Sequence, residues 1–187
     1  SSVAKRLVTM LGERGEKPDA LLMTRERYTA HEAVSQGAVS LDGAENASVQ
    51  YAPCCRPVPG DPIVGYLGRG EGLVVHIADC PVASRLRHKD AERFIHVEWA
   101  DEPARPFETG VIVTVTNGKG VLARVASAFA GAEADIIHMD MGEEAAQEAT
   151  DLRFLIAVRD STHLDGVLRA LNRTTSVLRA NRTRPAS

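Results

Sequence analysis

Aromatic residues are scarce, 4% of the 187-residue chain with a single Trp, so its cores must be aliphatic rather than built on stacked rings. An excess of one charge sign is missing too: 22 Lys+Arg stand against 25 Asp+Glu, net −3. That balance excludes a generic nucleic-acid binder held by phosphate neutralisation and leaves any RNA contact to be local. No apolar run approaches the length of a membrane span and no secretory segment is evident, so a soluble, cytoplasmic setting without membrane contact is expected. The chain starts at Ser1 without a methionine and is expected to be a fragment. No His-Glu-x-x-His or Ser-His-Asp arrangement is evident. Gly65, Gly68, Gly70 and Gly72 do not form a phosphate cradle, because the third glycine of a dinucleotide fingerprint would fall on Leu73 and no Gly-Lys-Ser/Thr follows. A hairpin turn is the reading for them.

What is present is a concentration of soft ligands. All three cysteines lie between Pro53 and Cys80: Cys54 and Cys55 are adjacent, and His76 and Cys80 follow four apart. Thiolate and imidazole in a set of four favour tetrahedral zinc of the closed, structural kind. The competing reading is three small buried hydrophobes and a strand histidine, and the confinement of the cysteines to one stretch weighs against it. A disulfide framework fits less well, since the count is odd and a chain of this length needs no staples.

Cys54-Cys55-x-Pro57-x-Pro59-Gly60-Asp61, then Ile63, Gly70-x-Gly72 and His76-x-x-x-Cys80, resembles the zinc-finger module, or RIS domain, of RelA/SpoT-type (p)ppGpp synthetase/hydrolase proteins. The GDPI knuckle and the FIHVEW strand look closer to the SpoT branch than to the RelA branch.

Along the chain, residues 1–37 read as a helical and linker segment, with Val3, Leu7, Met10 and Leu11 at helical spacing and His31 as a solvated histidine. Residues 38–100 form the expected zinc-finger domain. Val39–Leu41 and Ala47–Tyr51 read as a hairpin around Asp42-Gly43, and the prolines of 57–62 as a rigid knuckle. Ile63–Leu67 and Leu73–Ile77 read as a second hairpin, Asp79 as the cap of a helix through Pro81, Ala83 and Leu86, and Phe94–Trp99 as one strand. Pro103 and Pro106 mark a domain boundary.

Residues 107–184 then give the order βαββαβ: strands at Gly110–Thr116, Asp135–Met141, Leu152–Val158 and Val177–Ala180, with helices at Val121–Ala130 and after Ser161 or Thr162 as cap. Leu122, Val125, Ala126 and Phe129 are expected on one face of the first helix. The fold class is therefore α+β, a small mixed zinc-binding domain followed by a ferredoxin-like βαββαβ domain. A sheet with both helices on one face leaves the other uncovered, so a homodimer through that sheet is expected.

This half resembles the ACT domain, a regulatory module that carries amino acids at the loop after its first strand. The resemblance places a ligand at Asn117, Gly118, Lys119, Gly120, Val121 and Leu122, with His138 from the second strand. Glycines let backbone N–H groups approach a carboxylate, and a helix start favours an anion. His138 as an outer-face polar residue and Lys119 as a solvated loop lysine are the bland alternatives. Arg173, Arg179, Arg182 and Arg184 make the C-terminal part basic, either for RNA or as a solvated tail.

The double resemblance implies a non-catalytic regulatory region whose partners are upstream catalytic domains. Its implied inputs are an amino acid, ribosomal RNA or acyl carrier protein.

Overall fold

A computed structural model describes residues 39–41, 49–103, 106–142 and 148–183. The helical reading of residues 1–37, His31, the Asp42-Gly43 turn and Arg184 lie outside the described residues. The described residues form two compact units, one of residues 39–41, 49–57 and 61–103, the other of 58–60, 106–142 and 148–183.

The first unit is centred on β3 (Ile63–Gly68) and β4 (Gly72–Ile77), an antiparallel hairpin with Gly68 opposite Gly72. Its turn needs left-handed backbone, which Gly70 (φ 95°) and Gly72 (φ 78°) supply. Both faces of β4 are covered, with Leu73, Val74, Val75 and His76 all buried. On one side Leu73 and Val75 join Leu41, Val49, Ile95 and Val97, with Tyr51 and Trp99 stacked beside them at 5.7 Å. Gly65 lies under this cluster, and a Cβ there would meet Val97, Ile95 and Leu73 side chains at 2.8–2.9 Å. On the other side Val74 joins Tyr66, Phe94 and Ala83 of helix α1 (Pro81–Lys89).

Three local expectations change here. β1 (Val39–Leu41) and β2 (Val49–Tyr51) do not form a hairpin: β2 pairs in parallel with β4, and β1 pairs in parallel with β6 (Val97–Trp99). Parallel pairing puts Leu41 and Val49 into one aliphatic cluster, which a turn signal between them cannot announce. The expected Phe94–Trp99 strand breaks at His96 into β5 (Phe94–Ile95), which pairs with β3, and β6. The cap of α1 is Cys80 rather than Asp79, with Pro81 at the first helical position, where its missing N–H costs nothing.

The second unit runs β7 (Phe107–Thr116), α2 (Val121–Gly131), β8 (Asp135–Met141), β9 (Ala149–Val158), α3 (Ser161–Asn172) and β10 (Val177–Arg182). The sheet order is β10-β7-β9-β8, antiparallel throughout, so this half is the βαββαβ arrangement and the chain is α+β. β7 and β9 pair over ten residues, from Phe107 opposite Val158 to Thr116 opposite Ala149. Val111, Val113, Phe154 and Ile156 are buried on the inner face against Val121, Val125 and Phe129 of α2 and Leu164, Val167 and Leu171 of α3. Phe129 and Phe154 meet at 4.8 Å.

The buried stripe of α2 is Val121, Val125 and Phe129, each four residues from the last. Leu122 and Ala126 are exposed instead of sharing it, because one step around a helix is 100°. α3 is capped by Asp160, not Ser161 or Thr162: its carboxylate accepts from the His163 N–H at 2.7 Å. Among the described residues no helix is long and apolar enough to cross a membrane.

Candidate functional site

The four soft ligands of the sequence converge. After β2 the Ala52 N–H donates to the Val75 carbonyl at 2.9 Å, tying the chain to β4. Cys55 and Arg56 N–H groups then donate back to the Ala52 carbonyl at 3.3 and 2.8 Å, closing a turn that carries Cys54 and Cys55. Arg56 completes it in the left-handed region, φ 46°. His76 shares a β4 face with Val74 by the two-residue period of a strand. Cys80 follows at the N-terminus of α1, its N–H donating to the Ile77 carbonyl at 3.0 Å.

Cys54 Sγ lies 3.4 Å from His76 Nδ1, 3.7 Å from Cys80 Sγ and 3.9 Å from Cys55 Sγ, and Cys55 Sγ lies 3.9 Å from His76 Nδ1. All four donor atoms fall within 4.8 Å of one another. A tetrahedral ion with bonds of about 2.3 Å to sulfur and about 2.0 Å to nitrogen has edges of roughly 3.8 Å between sulfurs and roughly 3.5 Å from sulfur to nitrogen. The observed edges of 3.4–3.9 Å lie close to those figures, so Cys54, Cys55, His76 and Cys80 can hold a metal ion, and three sulfurs with one imidazole suit zinc.

Electrostatics agree with that fit. Burial pushes the Cys54 and Cys55 thiols up, and Cys80 adds to the rise at both. At Cys55 the Ile77 N–H, donating to Sγ at 3.3 Å, acts in the opposite sense. Burial pushes His76 down, toward the neutral imidazole a metal needs. Without a cation the pocket favours uncharged thiols; a dication reverses that preference.

The loop of the second unit is arranged differently. Asn117 N–H donates to the Glu148 carbonyl at 3.0 Å, and its side-chain oxygen accepts from Thr150 Oγ1 at 2.8 Å. Gly120 caps α2 in the left-handed region, φ 76°. Val121 is buried in the core and Leu122 exposed, with Gly118 and Lys119 exposed between the strand and the helix. His138 is exposed and stands opposite Leu155, which stands opposite Gly110, six residues before Thr116. At ~3.3 Å per residue it is roughly 20 Å along the sheet from the loop, so one chain does not bring them together.

Sequence reading missed His163. Its Nδ1 accepts from the Arg159 N–H at 3.0 Å, so Nε2 carries the proton that it donates to the Ala132 carbonyl at 2.7 Å, joining the start of α3 to the end of α2. The signal was Asp160 three residues before His163, a cap spacing. An open groove of about 650 Å³ lies beside it, between α2 and α3.

Residues 39–100 match the family model for the RelA/SpoT RIS domain, and residues 103–182 that for the ACT domain. The chain is 33% identical over 150 residues to the bifunctional (p)ppGpp synthase/hydrolase SpoT of Escherichia coli, covering 80% of this chain and 21% of that protein. It is 30% identical over 174 residues to a GTP pyrophosphokinase of Streptomyces coelicolor, covering 91% of this chain and 20% of that protein. The chain thus spans about a fifth of the length of these relatives. Among solved structures, the ACT domain from the GTP pyrophosphokinase of Chlorobium tepidum is 14% identical with a TM-score of 0.37, over 42% of this chain and 99% of that one.

Proposed function

Because the chain belongs to the regulatory region of RelA/SpoT-type proteins, with a RIS domain followed by an ACT domain, we propose that it is a non-catalytic, cytoplasmic sensor. It relays nutrient state to catalytic domains that make and degrade (p)ppGpp. The observation that carries the non-catalytic reading is the closed donor set. Around a bound ion Cys54, Cys55, His76 and Cys80 would supply all four tetrahedral positions and leave none for a reacting water. Zinc held there would tie the turn after β2, the end of β4 and the start of α1 together and would supply folding energy rather than chemistry.

The input is an amino acid held at Asn117, Gly118, Lys119, Gly120, Val121 and Leu122, where backbone N–H groups at a helix start receive its carboxylate. Since His138 is distant from the loop within one chain, a pocket using both takes the loop from one copy and His138 from another. Exposed Ile136, Ile137 and Met141 on edge strand β8 support a homodimer through the sheet. Calorimetry against the twenty amino acids tests this. Saturable binding of a small group is expected, lost in Asn117→Ala and in His138→Ala. Mixing the two variants restores one intact pocket per mixed dimer. No heat at millimolar ligand sinks the amino-acid reading.

A second reading is docking to ribosomal RNA or acyl carrier protein, with the ACT domain serving only for assembly. It is favoured for RNA by the last turn of α1, where Arg87, His88 and Lys89 are all exposed.

A further inference from the structure

The three thiols of the donor cluster are not equivalent. Cys55 and Cys80 are 5% and 2% exposed, whereas Cys54 is only half-buried. Cys55 Sγ is also held by the Ile77 N–H. Cys54 lacks that shielding, and its sulfur stands 3.7 Å from Cys80 Sγ. Oxidation of cysteine follows thiolate character and access, and it becomes reversible when a second thiol stands ready to resolve it.

We propose that Cys54 is an oxidation site for hydrogen peroxide, resolved by Cys80 as a disulfide that dismantles the metal centre. The inference rests on reading the four donors as a zinc site, where both cysteines are thiolates. The Cys54 thiolate attacks one peroxide oxygen, the S–O bond forms as the O–O bond breaks, and hydroxide leaves. Sulfur loses two electrons and peroxide gains them. The Cys80 thiolate then attacks the Cys54 sulfenic sulfur, the S–S bond forms as the S–O bond breaks, and a second hydroxide leaves. Two thiolates and one peroxide give one disulfide and two hydroxides. The set keeps only Cys55 and His76, too few to retain the ion.

Cys55 is excluded as the resolving partner even though it is nearly as close, 3.9 Å. Neighbouring Cα atoms across a trans peptide are about 3.8 Å apart, below the roughly 4.4 Å at which disulfide spans begin.

The test titrates the zinc-loaded chain with hydrogen peroxide, reading released metal with a chromogenic chelator and the three thiols by differential alkylation and peptide mapping. One metal released per Cys54–Cys80 disulfide, with Cys55 still alkylatable, is expected. A Cys54→His variant, which keeps four N/S donors, should release metal at least tenfold more slowly. A Cys55–Cys80 or Cys54–Cys55 linkage overturns the proposal, as does equal release from the variant. Metal content measured before oxidant separates a chain that never loads zinc, which overturns the metal reading, from a loaded chain oxidised elsewhere. The peptide map identifies the linked pair in either case.

Discussion

The first unit brings four polar donors together beside two small apolar clusters, whereas the second is held by two apolar helical stripes against one sheet face. Their strands differ accordingly. Among the described residues the longest in the first unit, β3 and β4, have six residues, while β7 and β9 have ten each and pair along their whole length. Short strands bury little, and a small unit that cannot close a large aliphatic core gains from a cross-link. In the first unit Cys54, Cys55, His76 and Cys80 converge from three segments, a donor set that can hold a metal ion as such a cross-link. In the second, Val125, Phe129, Ile156, Val167 and Leu171 are fully buried, and among the described residues no such donor set accompanies them. The difference teaches that a unit with small apolar clusters can draw on converging polar donors where its neighbour relies on periodic apolar stripes.

Chelation breaks the comparison most sharply. Structural zinc contributes on the order of 10 kcal/mol to small metal domains. Treating the loaded chain with a strong chelator should therefore abolish or greatly lower the calorimetric transition of the first unit, leaving that of the second unmoved. An unchanged melting profile would remove the metal from the account. The converse substitution is Phe129→Ala, which deletes a fully buried ring packed on Phe154. It should cost the second unit about 3–5 kcal/mol by denaturant titration while metal content stays at one per chain. Loss of metal in that variant would show the units are not independent.

The third expectation concerns pH. Burial holds the Cys54 and Cys55 thiols above their ordinary value of 9.0, so the metal-free site carries both protons at neutral pH. Each leaves when a metal binds. His76, pushed below its ordinary 6.5, is already neutral there and releases none. The sign follows: affinity rises with pH, by about a hundredfold per unit from these two protons. Competition with a chelator of known affinity at two pH values measures it, and a flat profile would mean the thiols are ionised before metal arrives. The smallest effect is local to α3: Asp160→Ala removes the cap on the His163 N–H and should lower the stability of the second unit by about 1 kcal/mol. A neutral result would assign the anchoring of that helix to the His163 ring contacts alone.

The sequence by itself determined what depends on near neighbours. The βαββαβ order was legible because alternation along Leu152, Phe154, Ile156 and Val158 and the spacing of Leu164, Val167, Leu168 and Leu171 follow from backbone periods of 2 and 3.6, although Leu168 is only half-buried. The donor types and their two segments were legible in the same way. Only the tertiary structure decided partners. It paired β1 with β6 and β2 with β4, split Phe94–Trp99 at His96, turned Leu122 outward and moved the helix caps to Cys80 and Asp160. It also set His138 far from Asn117 along one sheet, although both were assigned to one pocket. Local periods fix which face a side chain takes on its own element. Which element meets that face depends on contacts between residues far apart in the chain, and those exist only once it has folded.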